Sequence, residues 1–119
     1  MKLLILFLTF IVTFSASADI NQCKSNVVVY NMEGKGYFYI CHDKKEVISF
    51  SAKSFGDKLY SCGMRGKAKL HNKVFIYKKW DCEVKLSLQN NKLIAEFGDC
   101  WRGFCGMQAN WHDGEYIKK

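Results

Sequence analysis

The stretch Cys82-Glu83-Val84-Lys85-Leu86-Ser87-Leu88 alternates apolar and polar side chains with a period of two. Cys82, Val84, Leu86 and Leu88 share one face and Glu83, Lys85 and Ser87 the other, the pattern of an antiparallel strand with one face buried. Asn90-Asn91 follows, a pair that tolerates positive φ, and Leu93, Ala95 and Phe97 resume the inward face, which makes a hairpin. Outward from this hairpin the same short alternating runs recur between glycine and asparagine turns. They mark strands at Val27 to Tyr30, Tyr37 to Cys41, Glu46 to Ala52, Lys58 to Cys62, Lys67 to His71, Val74 to Lys78, Met107 to Trp111 and Glu115 to Lys118. No window of a dozen residues carries apolar spacings of three and four, so helix is expected only as a turn near Ala18 to Ser25.

Eight or nine short strands must hide their edges, and an all-β, small antiparallel β-barrel does this economically; a sandwich is the alternative. Composition agrees with one folded domain. Of 119 residues, 49% are hydrophobic and 15% aromatic, which excludes a disordered tail, and the absence of proline excludes a polyproline linker.

The amino terminus reads differently. Lys2, the apolar run Leu3 to Phe14 and Ser15-Ala16-Ser17-Ala18 have the basic start, short apolar middle and small-residue cleavage site of an export signal. The run is shorter than the roughly 20 residues a membrane-spanning helix needs, so removal is expected rather than anchoring. The expected organisation is a signal over 1–18 and one domain over 19–119, located in the periplasm or secreted, with no stable membrane insertion. Removing Lys2 from 18 basic residues leaves 17 against 11 acidic ones, a net charge of +6.

All six cysteines, Cys23, Cys41, Cys62, Cys82, Cys100 and Cys105, lie beyond that signal, and an even number in an exported chain reads as a disulfide framework. Fifteen pairings are open. If His71-Asn72-Lys73 form a three-residue loop, Leu70 faces Val74 and the same register sets Cys62 opposite Cys82. Cys100 with Cys105 would then staple a local tip, and Cys23 would join Cys41. A fainter pattern, Cys62-Gly63-Met64 echoed by Cys105-Gly106-Met107, fits repeated barrel corners with glycine at the bend.

Several constellations of residues could carry chemistry. His42, His71 and His112 among many lysines offer the acid, base and cation of a ribonuclease, although no ribonuclease motif surrounds them. Cys100, Cys105 and His112 have a metal-like spacing, but outside the cytosol disulfides explain the same cysteines. No Gly-x-Ser-x-Gly elbow is present, and Asp81 with Glu83 or Glu96 with Asp99 are ordinary surface spacings. The expectation is a non-enzymatic protein without metal or cofactor. Lys73 to Trp80 and Trp101 to Phe104 interleave basic and aromatic residues, as a polyanion-binding module would. Lys35-Gly36-Tyr37-Phe38-Tyr39-Ile40 resembles the lysine-glycine-aromatic run of cold-shock β-barrels, with phenylalanine in place of the middle glycine. Export removes the usual nucleic-acid targets, so no nucleic-acid partner is expected.

Tyr39-Ile40-Cys41-His42-Asp43-Lys44-Lys45-Glu46-Val47-Ile48-Ser49-Phe50 resembles the opening hairpin of the periplasmic and membrane-bound bacterial inhibitors of c-type lysozyme. The resemblance implies an exported, disulfide-bonded β-barrel that blocks an enzyme by placing a Ser-Gly-x-x-Tyr loop and a neighbouring lysine segment in its cleft. Here the nearest stretch to that loop, Tyr60-Ser61-Cys62-Gly63-Met64, is interrupted by a cysteine. Cys100-Trp101-Arg102-Gly103-Phe104-Cys105-Gly106, with Trp111, Gly114 and Tyr116, is similar to the terminus of many uncharacterised small exported proteins of Gram-negative bacteria. Together these features predict a protein that inhibits or neutralises a cell-wall-directed enzyme or toxin, as a lysozyme inhibitor or an immunity protein does. The expected docking residues are Trp101, Arg102, Phe104, Tyr60, Lys78, Lys79 and Trp80. Lysozymes of the c-type are generally basic, so charge favours an acidic exported hydrolase or toxin as the protein target. A secreted hydrolase using the histidines and a cationic polyanion binder are the competing readings.

Overall fold

A computed structural model describes Cys23 and residues 26–56, 60–106 and 108–119. The expected signal over 1–18 lies outside the described residues, and of the turn near Ala18 to Ser25 only Cys23 is described. The fold is all-β. Eight strands, β1 (Val28–Met32), β2 (Gly36–Lys44), β3 (Val47–Phe55), β4 (Ser61–His71), β5 (Val74–Lys79), β6 (Cys82–Gln89), β7 (Lys92–Phe97) and β8 (Gly114–Lys118), form a closed antiparallel barrel in chain order. Closure comes from β8 returning to β1, with Tyr30 opposite Lys118 and Asn31 opposite Ile117.

Alternation places the core. Phe38, Ile40, Ile48, Phe50, Ala68, Val84, Leu86, Leu93, Ala95 and Tyr116 point inward and are buried, filling the lumen as a barrel of this strand number allows. Phe38 meets the edge of Tyr116 at 5.0 Å and stacks with Phe97 at 5.9 Å, and Phe97 stacks with Trp111 at 4.6 Å. The Tyr116 hydroxyl donates to the His112 carbonyl. Burial, with the Asp113 charge nearby, pushes its pKa far above the ordinary phenol value.

The β6–β7 hairpin forms as its alternation predicts, with Val84 opposite Phe97 and Gln89 opposite Lys92. Asn90-Asn91 makes the turn without positive φ, since the non-glycine positions with positive φ among the described residues are Asn72, Lys73, Trp80 and Gln108. Three expectations change. Ser61 and Cys62 of the run Lys58 to Cys62 join the run Lys67 to His71 in the single strand β4, while Lys58 and Leu59 lie outside the described residues. Of the expected strand Met107 to Trp111, Met107 is not described and Gln108 to Trp111 crosses one end of the barrel as irregular chain. There Ser54 Oγ donates to the Asn110 carbonyl and Trp101 Nε1 to that of Ala109. Side chains thus satisfy backbone groups that a ladder would otherwise pair. Finally, the Cys-Gly-Met echo does not mark two repeated corners: Cys62 lies at the start of β4, whereas Cys105 only faces it across an isolated bridge.

The disulfides are Cys23–Cys41, Cys62–Cys105 and Cys82–Cys100. The first is as expected. The other two replace the expected Cys62–Cys82 and Cys100–Cys105 pairs, because β5 ends at Lys79 and the Trp80-Asp81 turn carries Cys82 into β6, one strand removed from β4. Asn72 and Lys73 both take positive φ, so the β4–β5 turn has two residues and His71 faces Val74. This is one residue fewer than the expected three-residue loop, so Leu70 faces Phe75 rather than Val74.

The β4–β5 ladder is also short. It consists of Lys69 with Ile76, Leu70 with Phe75 and His71 with Val74, and below it the strands part. The Tyr77 ring occupies the gap, set edge-on to Phe50 at 5.2 Å and lying 2.3 Å from where a Gly66 Cβ would stand. Gly66 is therefore glycine because a ring sits where its side chain would be.

The pairing has a direct test, because trypsin cleaves after Arg102 and so separates Cys100 from Cys105. Non-reducing digestion should yield Leu93 to Arg102 joined to Trp80 to Lys85, and Gly103 to Lys118 joined to Leu59 to Arg65. Recovery of Cys62 joined to Cys82 would contradict the fold. Replacing Cys82 and Cys100 together by serine should cost about 2–4 kcal/mol in denaturant unfolding.

Candidate docking site

Asp99 to Cys105 form a tip held at both ends, Cys100 to the start of β6 through Cys82 and Cys105 to the start of β4 through Cys62. The carboxyl-terminal side is fastened further by backbone bonds, Gly63 N donating to the Phe104 carbonyl at 2.9 Å and Gly106 N to that of Ser61 at 3.0 Å. On the other side Trp111 Nε1 donates to the Cys100 carbonyl at 2.7 Å. Because the Trp111 ring stacks on Phe97, this bond ties the tip to the aromatic column of the core. Within the tip, Phe104 N and Cys105 N both donate to the Trp101 carbonyl, and Gly103 bends the chain at φ 85°.

The β5–β6 turn, Trp80-Asp81 between the paired Lys79 and Cys82, meets this tip. Trp80 has φ 56°, a left-handed conformation that a bulky residue adopts at a cost of order 1–3 kcal/mol. Its ring centroid lies 5.7 Å from that of Phe104, and one edge is 2.8 Å from where a Gly103 Cβ would stand. Lys79 Nζ sits 4.7 Å above the same ring. Trp80 nevertheless stays 73% exposed and Trp101 47% exposed. Two indoles are thus held in fixed positions with much of their area open to solvent.

Of the sequence-predicted residues, Lys79, Trp80, Trp101 and Arg102 line one cleft of about 390 Å³ between turn and tip. Phe104 supports that cleft through Trp80. Tyr60 stands at the other flank of the tip, its ring 3.8 Å from the Cβ position of Gly106. Lys78 does not line the cleft; it faces Glu83 across the β5–β6 ladder, with 3.7 Å between charged groups that are both well exposed. Sequence reasoning passed over Asp81 and Asp99, which line the same cleft and give it both signs of charge. Their adjacency to Trp80 and Cys100 was the available signal.

The competing constellations are dispersed. His112 approaches the Phe55 carbonyl at the end of β3, whereas His42 pairs with Ile48 near its start, roughly 23 Å away along the strand. His71 lies at the β4–β5 turn. No acid–base pair that includes His112 is assembled. Cys100 and Cys105 are each bridged to a different strand, so neither offers a thiolate to a metal beside His112.

Trp80→Gly separates the fold from the site. Relief of the left-handed backbone offsets the lost ring contacts, so unfolding free energy should stay within about 1 kcal/mol of wild type. A loss above about 2 kcal/mol in denaturant unfolding would make Trp80 a structural residue instead. Against protein-family models, curated proteins and solved structures the chain has no match.

Proposed function

We propose that the protein is a non-enzymatic binding protein of the periplasm, or secreted from it, that neutralises an exported cell-wall-directed enzyme or toxin by docking through the tip and the adjoining turn. The observation that carries this reading is the pair of exposed indoles, Trp101 on a tip clamped by two disulfides and Trp80 on the β5–β6 turn packed against that tip. Tryptophan and arginine dominate interface energies when truncated, and groups already ordered before contact lose little entropy on docking. Three disulfides in a small domain are compatible with an oxidising compartment, and the net positive charge suits an acidic target. A lysozyme-inhibitor role and an immunity role both fit this mode of action.

Inhibition assays against purified exported peptidoglycan hydrolases, acidic and basic, test the proposal. An acidic hydrolase should be inhibited, and Trp101→Ala should weaken inhibition by roughly thirtyfold, the equivalent of about 2 kcal/mol. Equal potency of Trp101→Ala and wild type would remove the tip as the site. An affinity falling roughly a thousandfold between about 50 and 200 mM salt would instead identify a polyanion binder.

A further inference from the structure

The parting of β4 from β5 leaves a seam in the barrel wall. Its upper end is the short ladder beginning at Lys69, and its lower end is the bond from Gly63 N to the Phe104 carbonyl. Between these limits β4 runs for roughly 20 Å. Ser61 and Gly63 turn backbone groups toward the tip side, and strand alternation turns those of Arg65 and Lys67 the same way. The Tyr77 ring, packed on Gly66 and Phe50, forms the floor.

Over this seam lies a groove of about 490 Å³ whose lining includes Tyr37, Lys53, Gly63, Arg65, Lys79 and Phe104. The lining holds three cations and no carboxylate. A Cβ added at Gly63 would meet nothing within 4 Å, so the backbone there is open to approach from outside. Tyr37 stacks with Tyr39 at 5.1 Å and leans on Phe55 at 5.9 Å, a raised aromatic wall beside the groove. Phe104 belongs to both the groove and the tip, so the two surfaces are continuous.

We infer that the target protein also lays a short, extended, acidic segment in this seam, its backbone pairing with β4 at Arg65 and Lys67 and its carboxylates meeting Lys53, Arg65 and Lys79. The inference deepens the docking reading above and rests on it for the partner being a protein. Strand addition to an open edge supplies affinity through the main chain, while the flanking side chains select the sequence. Here that selection is for negative charge. The chain already uses this mode on itself, since Cys105 pairs with Cys62 just below the seam.

The test uses the oxidised, exported protein labelled with ¹⁵N and an end-blocked hexapeptide alternating threonine with glutamate as probe. Titration should shift the backbone amides of Arg65, Lys67 and Tyr77 to Lys79. Backbone N-methylation of the peptide, or lysine in place of glutamate, should abolish those shifts. Arg65→Glu should weaken binding roughly tenfold, and Lys53→Glu carries the same charge test if Arg65→Glu does not fold. Shifts confined to Trp80, Trp101 and the tip would overturn the seam while leaving the tip as a docking site. No response to the peptide, or an equal response to its lysine analogue, would also overturn it. So would the same amides answering to oligothymidylate and not to the peptide, since the groove would then hold a nucleic acid. Failure of Trp101→Ala to weaken inhibition bears on the tip alone, so the two readings fail separately.

Discussion

The tip can hold Trp101 beside Trp80 of the neighbouring turn because the chain on either side of the tip is covalently fastened to a different strand of the barrel. Cys82–Cys100 and Cys62–Cys105 anchor it to the starts of β6 and β4, and the Trp111 indole adds a hydrogen bond from the aromatic column of the core. A single local bridge between Cys100 and Cys105 would have closed the loop on itself and left it free to move relative to the sheet. Two bridges to separate strands remove that freedom. Position is thereby transmitted from the buried rings Tyr116, Phe38 and Phe97 through Trp111 to Trp101, and from β5 through Trp80 to Phe104.

The tip and the seam share one topological origin. A barrel that continued its β4–β5 ladder would run Ala68 opposite Tyr77 and close the wall; instead the Tyr77 ring takes the space beside Gly66. The lower part of β4 is left to pair with Cys105 of the tip and the adjoining Gly106 rather than with β5. The same departure from regularity therefore places the tip and opens the groove beside it. Backbone strain is kept at this place too, since Trp80 occupies a left-handed turn position where glycine is the ordinary choice.

Much of the barrel was legible because its inward faces obey a strict period of two, as in Cys82 to Leu88 and Leu93 to Phe97. What was not legible depends on single residues. The glycines at 63 and 66 read as breaks between two strands, yet Gly66 serves a ring from the neighbouring strand and β4 runs through both. The disulfide partners turned on where β5 ends: the turn at Trp80-Asp81 starts a new strand at Cys82, so that cysteine does not lie across from Cys62. Met107 to Trp111 has apolar side chains at alternate positions, but Gln108 to Trp111 caps the barrel end, where indole and hydroxyl donors replace a ladder. For the docking site, composition pointed to the aromatic and basic residues themselves. The meeting of the β5–β6 turn with the tip is a long-range contact with no local signature.

Rigidity of the tip in the unbound protein is the central claim, and ¹⁵N relaxation measures it without a partner. In the oxidised protein the amides of Trp101 to Phe104 should have order parameters near those of β6, about 0.85. Values below about 0.6 across those four residues would show a loop that the two bridges do not hold, and the docking account would fail with it.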